Sequence, residues 1–353
     1  MPSPIILTRY LYIYDEVKYS LQESILKGES FEECVFWCGE LYYSGYAEQL
    51  WELIFGFYYN FCAVSHPKYE RKLSKIYAEH EKKNNITKIL AAITLLFYTK
   101  KNYDVFTLWQ VSPKIPNKVY LGRLPKWYHK MNVDAKYKNF ARSIHAQNWH
   151  NIVFYVNYFS PEETYKLVKT YFRTVHGMVL RDKKVSEIPY SNKKHIVFTL
   201  VKYLFTDEKE IQKRAIFRSY NHDEFKANLE ESQKTIMPAY KTLPERLSYP
   251  ICNTIGCFPL TRYSLTEEEL KELYWYHWEY CCYECPLWKE RFDKYDIEIN
   301  HEKKKITFKD DDEYERFCEQ YYYENDEQSR EVQERNIGTI PKISLGTWLE
   351  PRK

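Results

Sequence analysis

The sequence predicts a mainly α fold, and three observations carry that expectation. Thirty-five tyrosines stand against nine glycines in 353 residues. Glycine supplies the positive-φ corners that β-rich folds and phosphate-cradling loops need, so its scarcity argues against dinucleotide folds and glycine-hinged enzymes. Apolar residues recur at helical spacing through the first hundred positions, and helix-start signals stand at Ser30, Ser160 and Thr266. The expected organisation is a multi-helix N-terminal module over 1–110 and a proline-containing linker or loop over 111–126. A helical middle region over 127–248 and a small α+β module over 249–353 follow.

The elements follow in order. Ser30-Phe31-Glu32-Glu33 reads as a capping box, with the serine oxygen satisfying an orphan amide and Glu33 reaching back. Phe31, Cys34, Val35, Cys38 and Leu41 then share a helix face, closed by Ser44-Gly45, and Leu50, Leu53, Ile54, Phe57 and Phe61 continue the pattern on the next helix. Pro67 opens a basic helix with Tyr69, Leu73, Ile76 and Tyr77 on one side, and Ile86 to Tyr98 is apolar nearly all round, hence central. Pro113, Pro116 and Pro125 exclude a continuous helix between Val111 and Pro125. Trp149 to Phe159 is read as helix, Ser160-Pro161-Glu162-Glu163 opens one that runs to about His176, and 195–205 and 207–220 give two more. In the last third a helix is expected from Thr266 to Glu284. A hairpin over 296–308 follows it, in which Ile297 and Ile299, then Ile306 and Phe308, alternate with polar neighbours around a turn at His301 to Lys304, and an acidic helix comes after. The hairpin needs a neighbour for its isoleucine face, since two strands alone are marginal in water.

Composition narrows the setting. Nine cysteines, an odd number without a cleavable secretory signal before them, imply reduced thiols in a cytosolic environment. The longest strongly apolar run, Ile89 to Tyr98, is too short to span a bilayer, so no membrane partner is expected. The net charge of +3 conceals a polarity: 17 Lys/Arg against 5 Asp/Glu from His66 to Ser143, and 11 against 22 from Ser264 to Arg335. Either the two regions face each other, or the basic one faces an anionic polymer and the acidic one is an ordinary solvated surface.

Two resemblances arise from particular residues. Ser20-Leu21-x-x-Ser24-Ile25, Phe36-Trp37, Leu41, Gly45 and Lys100-Lys101-Asn102-Tyr103 follow a rhythm by which residues 17–110 resemble the C-terminal helical collar of bacterial replication-associated recombination ATPases related to clamp loaders. That resemblance implies oligomerisation. No G-x-x-x-x-G-K-[S/T] loop occurs, so it does not extend to ATP hydrolysis. The C-terminal third, with Cys285-Pro286-Leu287-Trp288-Lys289-Glu290-Arg291-Phe292 and Asn325 to Gln333, looks like uncharacterised proteins of large nucleocytoplasmic DNA viruses. It implies the host cytoplasm, a virus factory or the virion as the setting.

Three constellations carry chemistry. Lys114, Lys118, Arg123, Lys126, Lys130, Lys136, Lys138 and Arg142 interleave with Trp127, Tyr128 and Tyr137, which suits phosphate neutralisation with bases stacked on the rings; the alternative is a merely solvated face. Cys252 and Cys257, with His277 and Cys281 one helical turn apart and Cys285 one turn further, suit a structural zinc, against the alternative of buried free thiols. Asp310 to Glu313, followed by Glu324, Asp326 and Glu327, offers carboxylates for a divalent metal or simply complements a helix start. No H-E-x-x-H, G-x-S-x-G or G-x-G-x-x-G is present. The leading expectation is a non-enzymatic helical scaffold or adaptor that assembles with protein partners or itself and extends to binding nucleic acid. The alternative is a divergent metal-dependent nucleic-acid-processing enzyme.

Overall fold

The computed structural model describes residues 5–111, 113–116, 123–129, 134–180, 185–207, 209–211, 221–227, 258–321 and 337–352. It is mainly α, with a two-stranded antiparallel hairpin in the last third, as composition and periodicity predict. In chain order the helices are α1 (Tyr14–Lys27), α2 (Phe31–Tyr43), α3 (Ala47–Phe57), a π turn (Tyr58–Cys62), α4 (Tyr69–Lys82), α5 (Ile86–Phe97) and α6 (Asp104–Gln110). Then come α7 (Lys126–His129), α8 (Lys138–His145), α9 (Trp149–Tyr158), α10 (Pro161–His176) and α11 (Lys193–Leu204). The C-terminal third holds α12 (Glu267–Tyr276), α13 (Trp278–Tyr283), α14 (Pro286–Phe292), strands β1 (Ile297–Asn300) and β2 (Lys305–Phe308), α15 (Asp311–Tyr321) and α16 (Leu345–Leu349). The expected helix over 207–220 lies largely outside the described residues.

The chain forms two compact units, neither continuous in sequence. Unit 1 comprises Met1–Leu50, Asn84–Phe97 and Ser219–Lys353; unit 2 comprises Trp51–Lys83 and Tyr98–Arg218. The formal charge also divides along these units. Unit 2 holds 29 Lys/Arg against 13 Asp/Glu, a net of +16, and unit 1 holds 23 against 36, a net of −13.

Unit 1 is built on α1, α2 and α5. Ile86, Ile89, Leu90, Ala92, Ile93 and Leu96 of α5 are all buried, so this helix is central as its all-round apolar sequence requires. Ser30 caps α2 by accepting from the Glu33 amide at 3.2 Å. The reciprocal half of the expected capping box is replaced: the Glu33 carboxylate accepts instead from Trp37 Nε1 at 3.0 Å, one turn along the same helix. Gly45, at φ +91°, turns the chain after α2. A Cβ there would stand 2.6 Å from Pro286 Cβ, so both the backbone and the close approach of α14 require glycine.

The helix expected from Thr266 to Glu284 is two helices. Its capping box forms, with Glu269 N donating to Thr266 Oγ1 at 3.2 Å and Thr266 N to Glu269 Oε2 at 2.8 Å. The backbone breaks at His277 (φ −134°), which leaves Tyr276 71% exposed and brings Trp278 fully into the core. Periodicity continues through the break, which is why the sequence did not mark it. The hairpin pairs Ile297 with Phe308 and Ile299 with Ile306. Ile306 and Phe308 are buried, and Phe308 lies 5.0 Å from Phe317, which stacks on Phe292 at 4.8 Å and 14°. Strand β2 therefore reaches its core through aromatic packing, beside α13 and α15.

In unit 2, Ser160 caps α10 with proline at its first turn, and Asn148 caps α9 by accepting from Asn151 N at 3.1 Å. The π turn between α3 and α4 is defined by Ala63 N donating to the Tyr58 carbonyl five residues back, at 2.8 Å. A Cβ on Gly56 would meet Tyr190 Cε2 at 2.9 Å, so glycine lets that ring lie against the helix.

Candidate functional site

The basic stretch of unit 2 alternates outward cations with inward rings. Lys126 is exposed, whereas the adjacent Trp127 and Tyr128 are 8% and 5% exposed. Trp127 packs edge-on against Tyr171 at 4.6 Å. Lys136 and Lys138 are exposed on either side of buried Tyr137, whose ring lies 4.5 Å from Phe159. The rings thus anchor α7 and α8, through Phe140 and Ile144 as well, and hold the cations outward. Trp127, Tyr128 and Tyr137 therefore present little ring surface beside the outward cations.

The cations differ in what they are tied to. Lys136 pairs with Glu163 at 3.3 Å, and hydrogen bonding to that carboxylate raises its affinity for its proton. Arg142 is half-buried and donates from Nη1 to Asn139 Oδ1 at 3.1 Å. Lys114, Arg123, Lys126 and Lys138 are exposed and make no ion pair among the described residues. Lys118 and Lys130 lie outside the described residues.

Of the candidate zinc ligands, Cys252 and Cys257 lie outside the described residues. His277 stands at the break between α12 and α13, and Cys281 follows on α13. Cys281, Cys282 and Cys285 are buried and free; burial pushes the thiols of Cys281 and Cys285 up to about 12 and about 11 and that of Cys282 well above its ordinary value. The Cys285 thiol donates to the Ser44 carbonyl at 3.4 Å. Among the described residues no group of three or more His, Cys, Asp or Glu side chains is placed to hold a metal ion.

The acidic cluster behaves as a helix start. Asp310 Oδ1 accepts from Glu313 N at 2.9 Å, and Asp311, Asp312 and Glu313 occupy the first turn of α15, where negative charge complements the helix dipole. Glu324, Asp326 and Glu327 lie outside the described residues.

Two perturbed groups escape a motif-based reading. His195 on α11 is 6% exposed, with Tyr190 Oη 2.5 Å from Nδ1, Asn192 Nδ2 3.2 Å from Nε2 and the Trp109 ring edge-on at 4.2 Å. Burial pulls its pKa down to about 3, so the imidazole is neutral at physiological pH. Glu279 on α13 is pushed up to about 7 by burial and accepts from Tyr314 Oη at 3.2 Å. No spacing rule marks either residue, because both shifts come from packing between distant segments.

No helix among the described residues is long and apolar enough to cross a membrane. Comparison with known protein families, with curated proteins and with solved structures finds no match for this chain.

Proposed function

We propose that the protein is a non-enzymatic scaffold whose basic unit 2 binds nucleic acid through the phosphate backbone. The observation that carries this reading is the division of labour between 114 and 142: exposed Lys114, Arg123, Lys126 and Lys138 on a unit of net charge +16, with Trp127, Tyr128 and Tyr137 turned inward. A surface of cations without stacking faces recognises charge spacing and not base identity, so duplex and single strand are both ligands. The acidic unit 1, at −13, offers a second copy's basic surface a complementary partner, which supports self-association as the scaffold's means of assembly. On the resemblance of its C-terminal third to proteins of large nucleocytoplasmic DNA viruses, that binding serves genome replication or virion assembly.

The test is anisotropy binding of the full chain to fluorescent duplex and single-stranded DNA across a salt series, with light scattering to follow mass. Four phosphate contacts give a slope of log K against log salt of roughly −3 to −4 on duplex. Lys126→Gln and Lys138→Gln should each lower the slope by about one, equally for unrelated sequences. No binding at low salt, or a slope unmoved by both variants, would sink the reading.

A further inference from the structure

Unit 2 contains a cleft of about 720 Å³, within the range of small-molecule sites, and its lining divides into three kinds of group. The floor is apolar, formed by Ala63 after the π turn and by Ile196 and Leu200 of α11. Tyr59, Tyr165 and Tyr203 also line it; Tyr59 and Tyr165 are buried, and the Tyr203 ring is half-buried. At the mouth α4 presents Lys68, Arg71 and Ser74, with a single carboxylate, Glu70, between them.

Contacts between separate segments hold the lining in place. Tyr59 stacks on Tyr190 at 5.8 Å and 16°, and Tyr190 is itself fixed by His195. The Tyr59 carbonyl accepts from Thr199 Oγ1 at 3.0 Å. Tyr58 ties the π turn to the start of α4: its hydroxyl lies 3.1 Å from the His66 carbonyl and accepts from Glu70 N at 3.2 Å. Single π turns inserted beside α-helices recur at functional sites, because the extra residue re-aims side chains that a regular helix would direct elsewhere.

The mouth is polar and available. Arg71 is exposed and makes no ion pair or hydrogen bond among the described residues, and Ser74 stands one turn further along the same face. A guanidinium with a hydroxyl at that spacing, on a rim with two cations and one carboxylate, suits a tetrahedral oxyanion with several acceptor oxygens. An aromatic body seated among the tyrosines would put such an anion at the Arg71 end.

We propose that this cleft binds an aromatic phosphomonoester of the size of a nucleoside monophosphate, with the ring against Tyr203 and the phosphate on Arg71 and Ser74. The site does not depend on the surface reading above, since it recognises one anionic group together with a ring.

Calorimetric titration of the full chain with AMP, adenosine and butyl phosphate tests it, because the three probes separate ring from anion. AMP should bind at least roughly tenfold more tightly than either of the others. Arg71→Glu, an exposed change that leaves the core intact, should weaken AMP by about tenfold or more and leave adenosine unaltered. Tyr203→Leu keeps the apolar volume and removes the ring, and should weaken AMP and adenosine together. The proposal falls if AMP shows no binding in the millimolar range, if butyl phosphate matches AMP, or if Arg71→Glu leaves AMP affinity unchanged.

Discussion

The two units use charge in opposite ways. In unit 1, two arginines are buried against carboxylates of α1 and α2, Arg9 with Glu40 at 3.1 Å and Arg262 with Glu16, and a third, part-buried Arg352, pairs with buried Glu23 at 2.7 Å. In unit 2 the cations face outward, and the ion pairs Lys202–Asp104, Lys136–Glu163 and Lys75–Glu79 each have a partner that is 39% to 50% exposed. Buried charge must be matched where it lies and so fixes a fold; exposed charge contributes little to stability and is left for ligands. An acidic unit that matches Arg9 and Arg262 internally and a net basic unit that displays lysines are the physical basis for assigning the anion-binding role to the second.

The strongest way to break this comparison is to remove one member of a buried pair. Glu40 accepts from Thr8 Oγ1 at 2.6 Å, Arg9 Nε at 3.1 Å and Tyr10 N at 2.8 Å, and it is fully buried. Glu40→Ala strands the Arg9 guanidinium and two further donors, and should cost about 3–5 kcal/mol. Lys202→Ala, which breaks the pair with half-exposed Asp104, should cost less than about 1 kcal/mol. Urea unfolding with hydrogen exchange read peptide by peptide measures both. Equal losses would mean that charge plays the same part in the two units.

The second contrast is in pH. His195 has its folded pKa lowered, from 6.5 to about 3, so the stability it contributes to unit 2 is present above 6.5 and is lost as pH falls toward 3. At pH 4.5 the loss should reach about 3 kcal/mol, since each unit of pKa corresponds to 1.36 kcal/mol. Glu279 has its folded pKa raised, from 4.5 to about 7, so its contribution to unit 1 is present below 4.5 and is lost as pH rises through 7. Glu279→Gln should flatten that dependence and stabilise unit 1 at pH 8 by about 3 kcal/mol. Hydrogen exchange corrected for intrinsic rates resolves the two trends, and protection moving in the same direction with pH in α11 and α13 would contradict them.

These contrasts mark what the sequence could and could not show. The caps at Ser30, Ser160 and Thr266, the central α5 and the hairpin register are local patterns, set by residues within a few positions of one another, and they were legible. The buried pairs join residues 246 and 329 positions apart, and no period or spacing encodes such a contact. The alternation of lysine with Trp127 and Tyr137 was legible as a pattern but not in its sense, because it does not say which set faces the core; tertiary packing decides that. The cleft was hidden for a related reason: its lining comes from 58–74, 165–180 and 196–203, and the π turn at one side of it is itself invisible to helical periodicity.

The mildest test asks whether local signals act locally in both units. Ser30 caps α2 in unit 1 and Asn148 caps α9 in unit 2, each accepting one backbone amide at 3.2 Å and 3.1 Å. Ser30→Ala and Asn148→Ala should therefore each cost about 1 kcal/mol, the same in an acidic unit and a basic one, because a cap satisfies an orphan donor whatever the surrounding charge. Amide exchange should rise at the first turn of α2 for the first variant and of α9 for the second. A loss several times larger at Asn148 would mean that its buried partner Asn151, 1% exposed, depends on the cap for more than one hydrogen bond, and that unit 2 is held by polar contacts to a degree its displayed lysines do not suggest.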